Sequence, residues 1–288
     1  MKFYRIYIEL TNICGLTCSF CPTKNLPSHT MDLNFFEDVI KQASLFTKEI
    51  ACHVVGDPLT LSNLDAYLSL MQKYNLKAVL TTSGYYLKNQ KFETLFSPPV
   101  KQINISLNSY NKNDSNIIFE KYMQTILEFC SYKIKNKKEQ FINLRVWNLD
   151  EQISEKAYNK NLFELLSSYF DVKLDEEEIY TNKPKTIRLS SKILLHFDNY
   201  FQWPTLDNKI YGDGTCQGLQ SHIAILASGE VVPCCLDCDG VIKLGNLHDS
   251  TLEKILHDNR AKNILNGFKN SKAIEELCQK CSYKDRFN

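Results

Sequence analysis

The stretch "TNICGLTCSFCPTK", residues 11–24, places Cys14, Cys18 and Cys21 within eight residues, directly after the strand-like run "FYRIYIEL". Cysteine-held metal sites ordinarily take four thiolates or complete the set with histidine. Three thiolates on one compact loop instead suit three corners of a four-iron, four-sulfur cubane, whose fourth iron then has no protein ligand. An open coordination position lets a metal centre bind and activate a small molecule. The loop follows a strand, and barrels of parallel strands collect their chemistry at the strands' C-terminal ends.

Outward from this loop, residues 1–197 repeat a short apolar strand followed by an amphipathic helix. After "FYRIYIEL" come a helix at "NFFEDVIKQASLF", a strand at "EIACHVV", and a helix with Leu61, Leu64, Leu68 and Met71 as its apolar stripe. "LKAVLTTS" and "KQINISL" read as strands. "NIIFEKYMQTILEFC" reads as a helix with Ile118, Tyr122, Ile126 and Phe129 on one face. "FINLRVW" makes a fifth strand, residues 155–170 a helix, and "KTIRLSSKILLHF" contains a sixth strand. Six units are too few for a closed eight-stranded barrel, so the expected fold is α/β, a partial and open (β/α)6 TIM-type barrel.

Beyond Phe197 the pattern changes. Residues 198–215 are irregular, "HIAILASGEVVPCC" reads as a hairpin turning at Ser228 and Gly229, and "TLEKILHDNRAKNILNGF" reads as one helix. Six of the eleven cysteines lie here. The expected organisation is a barrel domain at 1–197 and a small hairpin-plus-helix, cluster-binding module at 198–288.

Thirty-four basic against thirty-three acidic residues give a net charge of +1, so no global field gathers the chain onto nucleic acid or an anionic membrane. The run Lys133, Lys135, Lys137 and Lys138 reads as a solvated helix end. The N-terminus lacks the apolar core of a signal peptide and no stretch approaches a membrane span, so a cytoplasmic protein is expected. In that reducing compartment the cysteines point to metal or redox chemistry, not a disulfide framework. Cys52 and Cys130 fall on apolar stripes and read as core thiols, and His53 as an interior histidine.

C-x-x-x-C-x-x-C, with Phe20 just before its last cysteine, resembles the radical S-adenosylmethionine (SAM) superfamily. That resemblance implies that Cys14, Cys18 and Cys21 hold a 4Fe-4S cluster whose open iron binds the methionyl amine and carboxylate of SAM. It further implies that reductive cleavage of SAM yields a 5'-deoxyadenosyl radical. Gly56, Asp57 and Pro58 stand where the family carries G-G-E-P, with Val55 in place of the first glycine and Asp57 in place of the glutamate. "TTSG", with Ser83, stands where relatives often carry T-N-G. Ser106 and Asn108 follow the fourth strand, and Arg145 on the fifth suits the SAM carboxylate. These seven residues are the implied SAM contacts.

The C-terminal series resembles the auxiliary cluster domain called SPASM or its shorter form, twitch. Matching motif to motif implies one auxiliary 4Fe-4S cluster on Cys216, Cys234, Cys278 and Cys281, with Cys235 a neighbour and Cys238 outside the pattern. A cluster with four cysteine ligands suits electron transfer. The implied reaction is therefore hydrogen abstraction from a small-molecule or peptide substrate, followed by oxidation with the second cluster as electron acceptor. A flavodoxin- or ferredoxin-type protein is the implied electron donor. The position of the first motif predicts no cobalamin-binding or peptide-recognition domain ahead of it. Residues 198–215, with Trp203, Tyr211 and Asp213, are the expected substrate-contacting segment, and no catalytic acid or base is marked. Two alternatives stand beside this reading: a redox-neutral isomerase or epimerase with a structural second cluster, and a non-catalytic zinc-binding protein, since zinc accepts the same thiolates.

Overall fold

Apolar runs that alternate with amphipathic stripes give a chain of parallel strands joined by helices. The computed structural model describes residues 2–23, 25–113, 115–149 and 155–287. In chain order the elements begin β1 (Arg5–Ile8), α1 (Leu33–Ala43), β2 (Glu49–Ala51), α2 (Leu64–Lys73) and β3 (Lys77–Thr82). They continue α3 (Phe92–Leu95), β4 (Val100–Ser106), α4 (Asn108–Asn111), α5 (Phe119–Lys135), β5 (Phe141–Val146), α6 (Lys156–Phe170) and α7 (Glu176–Asn182). Next come β6 (Thr186–Ser190), β7 (Ile193–Phe197), β8 (His222–Ile225), β9 (Glu230–Val232) and β10 (Gly245–Asn246). Three helices close the chain: α8 (Leu252–Leu256), α9 (Asn259–Lys269) and α10 (Glu276–Gln279).

By packing, the chain forms two compact units, one of Met1–Gly15, Cys21–Leu80 and Phe201–Asn288, the other of Leu16–Phe20 and Thr81–Tyr200. In the first unit the strand order is β10-β9-β8-β1-β2-β3. β1 runs parallel to both β2 and β8, with Arg5 opposite His222 and Ile8 opposite Ile225. The hairpin β8–β9 turns at Gly229, whose φ of +86 suits glycine. Ile6 and Ile8 alternate inward from β1, while α1 buries Phe36, Val39, Ile40 and Ala43. Phe36 meets Tyr67 of α2 edge to face at 5.0 Å. Burying an aliphatic or aromatic side chain of this kind contributes roughly 1.5–3 kcal/mol. Asp32 starts α1 by accepting from the Asn34 and Phe35 amides.

In the second unit the order is β4-β5-β7-β6, with β4, β5 and β7 mutually parallel. Its core is built on Tyr122, Ile126 and Phe129 of α5 and Leu162, Phe163 and Leu166 of α6. Strands β1–β5 and β7 are the six expected of the partial barrel. β6 and β10 each keep only one strand neighbour among the described residues, so the sheet is unclosed.

Five local expectations need correction. Leu61 is extended, at φ −74 and ψ 118, and precedes α2, so it is buried without belonging to that helix's stripe. "KTIRLSSKILLHF" forms two strands: Lys192, at φ +55, turns the chain, and β6 returns antiparallel to β7. The stretch 251–268 is two helices, because Asp258 leaves helical geometry and caps α9 by accepting from the Arg260 amide. Ile118 is the extended residue before α5 and is 64% exposed, so it does not share the buried face. Lys133 is not solvated: it is 3% exposed, and its Nζ donates to the carbonyls of Lys138 and Ser191, each at 2.9 Å. Cys52 and Cys130 are core thiols, both pushed up to about 12 by burial.

Candidate functional site

The loop carrying the first three cysteines is closed by the two residues that precede it. Asn12 donates through Nδ2 to the Pro27 carbonyl at 2.8 Å and accepts at Oδ1 from the His29 amide at 2.7 Å. Thr11 adds a side-chain bond to the His29 carbonyl at 3.1 Å. Residues 12 and 29 thus meet at the base of a loop that holds Cys14, half-buried, and Cys21, exposed. Sequence reasoning missed this clasp, although "TN", one residue ahead of the first cysteine, was its visible trace.

The expected SAM residues of the same unit lie against the base of the loop. Gly56 approaches so closely that a Cβ on it would stand 1.8 Å from the Thr11 carbonyl oxygen, and the next amide, Asp57 N, donates to the Ile13 carbonyl at 3.1 Å. Asp57 is 2% exposed, and its Oδ1 accepts from the Leu59 amide at 3.0 Å, capping a short helical turn that begins at Pro58. Glu9, at the end of β1 and 1% exposed, accepts from Val55 N at 3.1 Å and Ala227 N at 3.2 Å. One carboxylate therefore ties the Gly56–Asp57 turn to the end of β8. Nothing in local sequence periodicity marks this role.

In the other unit, Cys18 is 8% exposed, with Sγ 3.9 Å from the Ser109 carbonyl, and Ser19 N donates to Lys112 O at 2.7 Å. The short helix α4 therefore seats this part of the loop. Phe20 stacks on Tyr200 with centroids 5.7 Å apart, and the Tyr200 hydroxyl is buried without a hydrogen-bond partner among the described residues. Burial pushes that phenol up, with Glu155 and Cys18 adding to the effect. A buried, unused donor beside a cysteine of the loop fits a loop that receives an anionic group.

Ser106, Arg145 and His196 stand side by side in register across β4, β5 and β7. Ser106 and Arg145 were expected together; His196 was not, because β7 was not resolved from β6 in the sequence. Burial lowers the His196 pKa, and the Arg145 cation lowers it further. Arg145 also lies over the Trp147 ring at 5.7 Å. Asn108, 3% exposed, accepts from the Trp147 amide at 2.8 Å, which ends β5 neatly. Ser83 Oγ accepts from Tyr85 N at 3.3 Å, and the Ser83 carbonyl takes the Tyr122 hydroxyl at 2.7 Å.

The second set of thiols lies within one unit. Cys235, Cys216 and Cys278 press electrostatically on Cys234, and Cys216 and Cys281 on Cys278. Burial pushes all four thiols up. Backbone amides oppose it: Gly218 N lies 3.5 Å from Cys216 Sγ, Leu236 N faces Cys234, and the amides of Tyr283 and Lys284 face Cys281. Four enclosed thiols, three of them supplied with N–H donors, fit a thiolate-bound iron-sulfur group. Among the described residues no three His, Cys, Asp or Glu side chains converge as ligands of a single metal ion do.

Cys235 and Cys238 differ from these four. Burial raises Cys235 to about 11, and its thiol is hydrogen-bonded with the Tyr7 hydroxyl. Cys238 is raised to about 12 by burial and by the carboxylates of Asp239, Asp237 and Glu9, an anionic setting that disfavours a thiolate. Tyr211 and Asp213 of the expected substrate segment are engaged locally: Tyr211 N donates to Gln279 O at 2.8 Å, and Asp213 accepts from Ala273 N at 3.1 Å. Both brace the segment that carries Cys278 and Cys281.

Comparison with known proteins identifies two family domains in the chain. The radical SAM superfamily profile matches residues 8–152, and the profile of SPASM, an iron-sulfur cluster-binding domain, matches residues 216–282. The S-adenosyl-L-methionine-dependent 2-deoxy-scyllo-inosamine dehydrogenase of Niallia circulans is 29% identical over 100 residues, 32% of this chain and 40% of that protein. Among solved structures, BtrN in complex with AdoMet and 2-DOIA is similar with a TM-score of 0.56 at 17% identity, covering 98% of this chain and 94% of that one. Streptococcus suis SuiB bound to precursor peptide SuiA gives 0.61 at 14% identity, with 99% and 73% covered. anSMEcpe with AdoMet and the Cp18Cys peptide gives 0.55 at 17% identity, with 97% and 86% covered. At these identities the structures establish a shared fold.

Proposed function

Because this chain belongs to the radical SAM superfamily and carries a SPASM domain, it is an enzyme that binds SAM and iron-sulfur clusters, and we propose that it oxidises its substrate. Cys14, Cys18 and Cys21 hold the SAM-binding 4Fe-4S cluster in this reading, and Cys216, Cys234, Cys278 and Cys281 hold a second. When bound, the first cluster supplies an electron that cleaves SAM to the hydrogen-abstracting 5'-deoxyadenosyl radical, and the second takes the electron that the substrate radical releases with a proton. The barrel module covers residues 1–197 and the cluster module residues 198–288.

The observation that carries this reading is the gathering of four enclosed thiols, three of them supplied with amide donors. With every corner held by protein, such a cluster is suited to carrying electrons. The similarity to a SAM-dependent dehydrogenase supports the oxidative outcome. Gly56, Asp57, Pro58, Ser83, Ser106, Asn108 and Arg145 are the proposed SAM contacts. Among them Arg145 pairs with the methionyl carboxylate through its guanidinium fork. The substrate is a small molecule or a peptide, and the electron donor a flavodoxin- or ferredoxin-type protein. The described residues contain no helix long and apolar enough to cross a membrane, and a cytoplasmic setting suits the free thiols.

Anaerobic reconstitution tests the proposal. About eight irons per chain are expected, falling by about half when Cys14, Cys18 and Cys21 are replaced together by Ala. Reduced protein should release 5'-deoxyadenosine from SAM. Zinc without iron uptake, or about eight irons that survive loss of Cys278 and Cys281, would overturn it.

A further inference from the structure

Lys284 is 1% exposed. Its Nζ donates to the Cys281 carbonyl at 3.2 Å and lies 3.4 Å from an oxygen of Asp285, whose side chain is 54% exposed. The Tyr211 ring centroid is 5.7 Å away. An ammonium has three donors, and the described residues offer it one backbone carbonyl, one long and half-solvated carboxylate and a ring face. A buried charge so weakly compensated is costly unless a further anion completes its surroundings.

That anion is indicated by the neighbouring thiols. The Lys284 ammonium lies 3.2 Å from the carbonyl oxygen of Cys281, which belongs to the four-thiol set, and Lys284 follows that cysteine by three residues. Tyr211, braced through its own amide on Gln279, presents its ring to the ammonium.

We propose that Lys284 is the counterion of the auxiliary cluster, a positioning residue that raises the cluster's reduction potential and so favours its acceptance of the substrate's electron. This rests on the four-thiol set holding the second cluster. One-electron reduction adds a negative charge to the cluster, and an ammonium held close by in a region of low dielectric stabilises the reduced form more than the oxidised one. Lys284 touches neither substrate nor SAM in this account. It acts by setting the poise of the group that receives the electron.

The test uses reconstituted full-length protein and follows each reduced cluster by electron paramagnetic resonance in a redox titration. The auxiliary signal is the one that SAM does not alter. About eight irons and two signals in wild type verify the underlying reading first, independently of Lys284. In Lys284→Met, the reduced-to-oxidised ratio of the auxiliary cluster at fixed solution potential should fall about tenfold, equivalent to about 59 mV for a one-electron couple. Lys284→Arg should stay within about threefold of wild type, and the SAM-binding cluster should not shift in either variant. An unchanged auxiliary potential in Lys284→Met would overturn the proposal, as would an equal shift in Lys284→Arg. If Lys284→Met fails to take up the second cluster, retention by Lys284→Arg at wild-type potential supports the counterion role. Failure of both variants refutes it.

Discussion

Replacing Gly56 by Ala is the most direct perturbation of the cysteine loop that leaves every proposed metal ligand in place. The added Cβ would stand 1.8 Å from the Thr11 carbonyl oxygen, 2.7 Å from its carbon and 2.9 Å from the Asn12 Cα. Non-bonded carbon atoms prefer about 3.5–4.0 Å, so relief needs a displacement on the order of 1.5 Å. All three obstacles are backbone atoms, and no rotamer change can yield. Overpacking costs about 1–3 kcal/mol, and a backbone collision belongs at the upper end, ~3 kcal/mol. At roughly 2–4 °C per kcal/mol for chains of ~150–250 residues, the expected fall in Tm is about 6–12 °C. The displaced atoms belong to the residues that clasp the loop base, so iron uptake at the first three cysteines should fall as well. The assay is thermal unfolding by circular dichroism together with iron content after anaerobic reconstitution. Gly212→Ala is the comparison: nothing lies within 4 Å of its Cβ position, and only its φ of +89 resists a side chain, which costs about 1 kcal/mol. A Gly56→Ala protein with wild-type Tm and full iron would refute the argument.

Two further outcomes are expected. Burial, aided by Arg5, lowers His222 to about 4, so between its unfolded pKa of about 6.5 and pH ~4 the unfolded chain binds the extra proton. Stability is therefore present above about pH 6.5 and is lost as pH falls, by up to ~3 kcal/mol. Urea unfolding of His222→Gln should show a flatter profile over that window, and parallel profiles would contradict the assignment. Cys238→Ser should keep its full iron content because carboxylates face that thiol, whereas Cys278→Ser should lose about four irons. Equal losses in the two variants would show that Cys238 is a ligand.

Much of the architecture was legible because it is written at short range. The period of the apolar stripes located α1, α2, α5 and α6, and the alternation in "FYRIYIEL" located β1, since the contacts behind these patterns fall every two or every three to four residues. The failures also have local causes. Asp258 interrupts an unbroken apolar stripe by capping, and Lys133 turns its long stem inward to satisfy carbonyls that a charge pattern cannot display. The spacing of Cys14, Cys18 and Cys21 was legible as a motif because all three fall within eight residues, and it carried the resemblance to the radical SAM superfamily.

The sequence by itself determined the repeat of strands and helices, the three-cysteine loop and the separation of a second cysteine set, all features carried by neighbours along the chain. Tertiary structure alone decided that β8 lies parallel to β1, that Glu9 joins Val55 to Ala227, 218 residues beyond Glu9, and that the Lys284 ammonium is buried against the Cys281 carbonyl. A carboxylate or ammonium in a sequence does not declare its partner. The partner is chosen by which buried amides and thiols the fold leaves in need of charge, and that balance exists only once distant segments have packed.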